Sequence, residues 1–180
     1  MGVLLVCGLF YLGFVYVQLL EWLIHKHLLH GLGKDKKNKF FSFHFYEHHR
    51  TSRSNLFYDD PSLKETLSIL LLVILHLPVM FFSLTLYGGI TAGALRYYYV
   101  HRRAHLEPEW CKENYPWHYA HHMATTQEMN WGVTTDRFDR LFGTRLVYVG
   151  TEREKRDTQR RIKRLNRGRS NGRSDSHETR

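Results

Sequence analysis

Residues 2–30 read GVLLVCGLFYLGFVYVQLLEWLIHKHLLH: no charged side chain from Gly2 to Leu20, then three histidines at His25, His27 and His30. At ~1.5 Å per residue, about 20 apolar residues in a helix cross the ~30 Å hydrocarbon core of a bilayer. Continuation through Glu21, Trp22, Leu23 and Ile24 makes the run long enough. A signal peptide fits poorly, because the stretch has no basic n-region and no small-residue cleavage site, and histidines follow at once. The expectation is a transmembrane helix that delivers histidines to one membrane face.

The same alternation of apolar and polar blocks continues outward. Residues 31–65 are polar and basic, opened by Lys34, Lys36, Lys37 and Lys39. Residues 66–95 again lack Asp, Glu, Lys and Arg. As one helix they would run ~45 Å, too long for a single crossing, so they read as a helical hairpin turning near Phe82 and Ser83. Pro78 is expected to kink the first arm. The second arm continues through Tyr97, Tyr98, Tyr99 and Val100. The Gly89-x-x-x-Gly93 spacing would let another helix approach it closely. Two crossings between His30 and His101 return the chain to the side it left. That side also holds Lys26, the lysines of 34–39, Arg50, Arg53, Arg102 and Arg103, which the positive-inside rule places in the cytosol.

Of the formal net charge of +9, the last thirty residues, from Thr151, carry 11 Lys/Arg against 5 Asp/Glu. The basic balance therefore belongs to a tail, which argues against a nucleic-acid-binding domain. With 180 residues the chain has room for one compact domain. The expected division is a membrane-embedded catalytic domain at 1–150 and a basic C-terminal tail at 151–180, a short helix followed by disorder. Cys7 and Cys111 make neither a disulfide framework nor a thiolate metal site. No glycine-rich nucleotide loop is present.

Thirteen histidines are the anomaly, and most fall into four groups. These are His25-Lys-His27-Leu-Leu-His30; His44-Phe-Tyr-Glu-His48-His49; His101-Arg-Arg-Ala-His105; and His118-Tyr-Ala-His121-His122. Helical neighbours lie three or four residues apart. That spacing pairs His44 with His48, His101 with His105, and His118 with both His121 and His122. The first group is the exception. His25 and His30 are five apart, about 140° around an α-helix. Helix geometry alone pairs His27 with His30; His25 and His30 can serve one centre if the helix ends near Gly31 or if each faces a different metal. His76 stands alone inside the hairpin, hydrogen-bonded across the bundle or close to a substrate channel. His177 sits in the tail without a role.

Up to ten imidazoles are too many for one ion and about right for two. Imidazole suits zinc, copper, iron or nickel. Breaking an unactivated C–H bond requires a redox-active metal, which zinc is not, so an alkyl substrate points to iron. Carboxylates are few; Glu47 is the nearest candidate to orient a ligand histidine.

The series His25-x4-His30, His44-x3-His48-His49, His101-x3-His105 and His118-x2-His121-His122 resembles the fatty acid hydroxylase and sterol desaturase superfamily. The segment Asn130-Trp-Gly-Val-Thr-Thr-Asp-Arg-Phe-Asp139-Arg-Leu-Phe-Gly-Thr144 looks like the block that closes that family's catalytic domain. The resemblance covers roughly residues 21–145. It implies an all-α, integral-membrane helical bundle with a histidine-rich dimetal domain on the cytosolic face. It implies metal ligation by His25, His30, His44, His48, His49, His101, His105, His118, His121 and His122, which chooses His25 over His27. It further implies two metal ions, iron being favoured and zinc possible as bound in vitro, with dioxygen as cosubstrate. The substrate would be a bilayer lipid, hydroxylated or desaturated in lipid biosynthesis. Electrons would come from a separate protein of cytochrome b5 or ferredoxin type. Members of the family often have four spans, whereas this chain reads as three, with its first span re-entrant or one family helix missing. Either an endoplasmic reticulum or a bacterial inner membrane fits. Compact carotenoid hydroxylases resemble the first two groups as well, and a zinc-binding membrane protein without oxygenase activity is the alternative from another class.

Overall fold

A computed structural model describes residues 2–60 and 62–174, with side chains through Arg167. All regular structure among the described residues is helical. Helix α1 (Val3–Leu23) runs without a break into a π-helical segment, Ile24–Leu32. A loop leads to a second π-helical turn, His44–His48, which continues as α2 (His49–Ser54). Helices α3 (Leu63–Leu75) and α4 (Leu77–Phe82) form the first arm of the hairpin, and α5 (Leu84–Leu106) forms the second. Three short helices, α6 (Pro108–Asn114), α7 (Pro116–Met123) and α8 (Arg137–Leu141), precede the long α9 (Glu152–Ser174).

The hairpin turns at Ser83, whose hydroxyl caps α5 by accepting from Leu86 N at 3.1 Å. The first arm breaks at His76, two residues before Pro78, whose ring nitrogen has no hydrogen to donate to the preceding turn. His76 fills the break. Its Nδ1 donates to Leu72 O at 2.7 Å, so Nε2 is left to accept from the Tyr16 hydroxyl on α1 at 3.0 Å. The hydrogen bond expected across the bundle is thus made to α1.

Helices α1 and α5 pack at backbone contact. A side chain at Gly89 would run into the backbone of Phe10, and a Cβ at Gly93 would lie 2.9 Å from Val17 Cβ. The G-x-x-x-G spacing therefore does what it predicts: it lets α1 close on the second arm. Two helical runs, Val3–Leu32 and Leu63–Phe82, are long and apolar enough to cross a membrane by length and composition. Helix α5, the expected third crossing, carries Arg96, Arg102 and Arg103 within its length.

Residues 152–174 form one helix, and its first turns are fastened to the body. Asp157, buried, accepts from Thr125 N at 3.1 Å. Arg161 Nη2 donates to Met123 O at 2.7 Å, and Glu154 pairs with Lys112 at 2.7 Å. Helix α9 docks through polar anchors, not through an apolar stripe. The remainder of the tail, 175–180 with His177, lies outside the described residues.

Candidate metal centre

The π-helical segments decide how the histidines meet. A π-helix closes i→i+5 hydrogen bonds, so residues five apart sit one above the other. Gly33 N bonds to Leu28 O at 3.0 Å in this pattern. His25 and His30 consequently share a face, with ring centroids 5.1 Å apart, and His27 is left exposed beside Trp22. The second π-helical turn does the same for His44 and His49, 4.8 Å apart. His44 keeps its contact with His48, at 5.0 Å between ring centroids, but its Nε2 turns to the other set, 3.0 Å from His25 Nε2 and 3.2 Å from His49 Nε2.

Two clusters result. His25, His30, His49 and His121 bring one ring nitrogen each to within 4.8 Å of one another, and His44 adjoins them. His48, His101, His105 and His122 form the other set, with His118 packed on it at 4.8–5.4 Å between ring centroids. All ten of the sequence-predicted residues therefore meet at one place, five to a cluster. The two clusters touch through His49 and His122, whose rings stack at 4.2 Å. The i,i+3 pairing of His118 with His121 does not hold: His118 goes with His122, four residues on, and His121 crosses to the first cluster.

Hydrogen bonds on the outer ring nitrogens fix which nitrogen faces inward. Carbonyls accept only, so His25 Nδ1 donates to Trp131 O at 2.6 Å, His121 Nδ1 to Met129 O at 2.7 Å, and His105 Nδ1 to Phe57 O at 2.9 Å. Carboxylates hold two more: His48 Nδ1 bonds to Asp59 at 2.7 Å and His101 Nδ1 to Glu65. With Nδ1 engaged in this way, each of these rings turns its Nε2 inward. The Gln127 amide lies 2.8 Å from His49 Nδ1 and holds that ring from outside in the same way.

The donor set fits a metal. In the first cluster Nε2 atoms approach at 2.9 Å (His30 and His49) and 3.1 Å (His30 and His121). A neutral imidazole has one N–H to give, so these inward nitrogens cannot all satisfy one another. In the second cluster His48 Nε2, His105 Nε2 and both nitrogens of His118 and His122 are buried without a hydrogen-bond partner. Ligand nitrogens about 2.1 Å from one ion stand about 3 Å apart when they bind at right angles, the separation seen in the first cluster. Burial, reinforced by the neighbouring imidazoles, pushes His49, His118, His121 and His122 well below the ordinary histidine value, so they are held as the neutral rings that ligate metals.

The closing segment 130–144 is the clamp. Asp139, fully buried, accepts from Trp22 Nε1 (3.1 Å), Trp131 N (2.8 Å), Gly132 N (2.8 Å) and Thr144 Oγ1 (2.7 Å). Glu21 accepts from Val133 N and from Thr134 N and Oγ1, the last two at 2.9 Å. Through these bonds α1 grips the segment and sets the Trp131 carbonyl against His25. Phe57 performs the same office for His105. It is held at φ +85°, a left-handed backbone costing about 1–3 kcal/mol, and its carbonyl meets His105 while its ring stacks on that imidazole at 4.5 Å.

The family profile for fatty acid hydroxylases matches residues 10–144, a span that contains all four histidine groups and the clamp. This chain belongs to the fatty acid hydroxylase family. Neither the curated proteins nor the solved structures contain a significant match. Membership makes it an oxidoreductase of lipid-modifying, oxygenase type.

For a member of this family, the residues that sequence reading missed are the orienting ones. Glu47 does not orient a ligand; it pairs with Lys64 at 2.8 Å on an exposed surface. Asp59 and Glu65 do so instead, and neither carries a spacing signal. The carbonyl partners carry none at all. A cavity of about 500 Å3 opens against the clusters, with His25, His44, His48 and His101 on its wall. One part of its lining runs along the first arm, from Ser62 and Glu65 through Ser68 and Leu72 to Leu75, faced by Leu20 and Ala94; another part comes from Leu28, Leu29, Phe40, Phe41 and Phe43.

Proposed function

We propose that this family member is a membrane-embedded, iron-dependent oxygenase that hydroxylates or desaturates a lipid near its polar end. The observation that carries the reading is the cavity: its walls become apolar along α3 and it has four histidines of the two clusters beside its polar end. The ten histidines would hold two metal ions, five to each.

Iron, when bound there, supplies the activation of dioxygen and the removal of hydrogen from an unactivated carbon. The rest falls to this chain. Leu20, Leu72, Leu75 and Ala94 hold an alkyl chain and keep water from it. Asp59, Glu65 and the carbonyls of Phe57, Met129 and Trp131 hold the ligand imidazoles in register. The overall hydroxylation, R–H + O2 + 2 e− + 2 H+ → R–OH + H2O, needs two electrons, which a separate donor protein must bring.

Membrane embedding is supported by the outer surface. Helices α3 and α4 bury no residue, and expose Leu63, Leu67, Leu70, Leu71, Ile74, Phe81 and Phe82; α1 exposes Val3, Leu4, Leu5, Tyr11 and Leu12. So large a contiguous apolar surface is what lipid, not water, would cover. Cytosolic placement of the clusters is supported by the basic residues on their side.

The test is purification without added metal, followed by metal analysis and an oxygen-dependent assay on lipid extracts with and without the protein. Two irons per chain and an oxidised lipid are expected. Tightly bound zinc with no oxygen-dependent product, after iron reconstitution, would sink the reading.

A further inference from the structure

Helix α9 lies beyond the 10–144 span of the family match, and nothing in the proposed chemistry uses it. Its inward side is spent on Glu154, Asp157 and Arg161, the anchors described above. Its outward side carries Arg156, Arg160, Lys163 and Arg164, all exposed, and among the described residues no carboxylate pairs with any of them. Between 155 and 167 the one acidic residue is Asp157, which faces inward onto Thr125. A strip of unneutralised cations results.

Helix α9 packs on α7, the helix that carries His118, His121 and His122. Arg161 is tied to the carbonyl of Met123, the residue after His122, while its Nη1 is buried without a partner. Arg53 stands among these charges: its burial, then Arg161 and more weakly Arg164, lower its pKa, while Asp157 opposes them. It lies on α2, four residues and one helical turn from His49. The strip thus lies on α7, which carries His122, and Arg53 adds a cation from α2, which carries His49.

We propose that the basic face of α9, with Arg53, is the docking surface for an acidic one-electron donor protein that reduces the metal pair; this rests on the oxygenase reading above. Each docking delivers one electron, leaving the donor oxidised by one, so two visits supply the two electrons of a turnover. Charge complementarity selects an acidic partner and speeds its arrival. A membrane surface is the weaker occupant. Helices that lie in the bilayer interface bury an apolar face, and Ile162 is the one large hydrophobic side chain exposed on α9 among the described residues.

The test uses the full chain in nanodiscs of neutral phospholipid. The probes are two acidic donors, the soluble haem domain of cytochrome b5 and a [2Fe–2S] ferredoxin. The variant is R156E/R160E/K163E/R164E, with R156K/R160K/R164K as its charge-conserving counterpart, and metal content checks the fold of each. At least one donor should bind the wild type, more weakly as salt rises. Binding, and the rate at which the reduced donor is oxidised, should fall at least about tenfold in the charge-reversed chain and persist in the lysine variant. No binding of either donor to the wild type, or equal binding by the charge-reversed chain, overturns the proposal. So does a loss confined to association with phosphatidylserine vesicles. Turnover of the wild type with a small-molecule reductant reads the oxygenase assignment separately, so donor binding without such turnover defeats the oxygenase reading and leaves the docking surface standing.

Discussion

His48 and His49 are neighbours in the chain, yet they serve different clusters: His48 joins His101, His105 and His122, and His49 joins His25, His30 and His121. Adjacent residues in a helix diverge by about 100°. A His-His doublet placed between two centres therefore points one ring to each. His121 and His122 repeat the arrangement from the opposite side, and the stacking of His49 on His122 closes the seam. Two doublets are what hold the clusters at a fixed separation.

If the clusters hold one ion each, His48→Ala and His49→Ala should each lose about one of the two metal equivalents, and from different sites. The double variant should lose both. Metal analysis together with a spectroscopic probe of the remaining ion checks this. Loss of both ions from each single variant would mean that the two clusters act as one site.

The first histidine group separates geometry from resemblance. His25→Ala should abolish activity and lower metal content, whereas His27→Ala should leave both near the wild-type level, because His27 is exposed and meets only the edge of Trp22. Parallel assays of the two variants decide it. A dead His27→Ala chain with an active His25→Ala chain would show that residues 24–32 are α-helical in the working protein.

That case also shows where the sequence stops being informative. The four groups, the apolar runs, the turn at Ser83 and the close approach at Gly89 and Gly93 are all legible, because each is a matter of residue type at a regular spacing. The registers of His25 with His30 and of His44 with His49 are not. They depend on π-helical backbone, and an α-helical reading of the same letters pairs His27 with His30 and His44 with His48. The orienting partners are hidden for another reason. Phe57, Met129 and Trp131 act through carbonyls, which every residue has, and Asp59 and Glu65 come from a loop and a helix start without any repeat. The anchoring of α9 through Asp157 and Arg161 escapes notice because a basic, apolar-poor segment reads as solvated.

Asp139 is the test of the clamp. It is fully buried and accepts four hydrogen bonds from Trp22, Trp131, Gly132 and Thr144. Asn in its place keeps the shape, but turns an NH2 toward donors and removes the charge that strengthens every bond. A loss of about 3 kcal/mol is expected. Because the clamp sets the Trp131 carbonyl on His25, metal affinity should fall along with stability. Thermal unfolding and metal retention of Asp139→Asn in the same preparation measure both. An unchanged melting temperature with full metal would show that the segment is held by something other than Asp139.

The cavity makes a prediction about which carbon is oxidised. Part of its lining follows the first arm from Ser62, just before α3, to Leu75, fourteen residues and so about 20 Å. Glu65, near the polar end, is bonded to His101 of the second cluster, while Leu75 lies ten residues farther along, about 15 Å away. A lipid whose tail fills the apolar end therefore presents carbons close to its head group to the clusters, and its chain end stays remote. Leu72→Trp narrows the apolar end and leaves the ten clustered histidines and their orienting partners untouched; the bond from His76 goes to its main-chain carbonyl. Long-chain substrates should lose activity by about tenfold or more relative to short ones, while metal content and the position of oxidation stay the same. Product analysis across a series of chain lengths reads all three. Equal loss for every chain length would mean that the tail does not enter along α3, and oxidation near the chain end would mean that the lipid lies in the cavity the other way round.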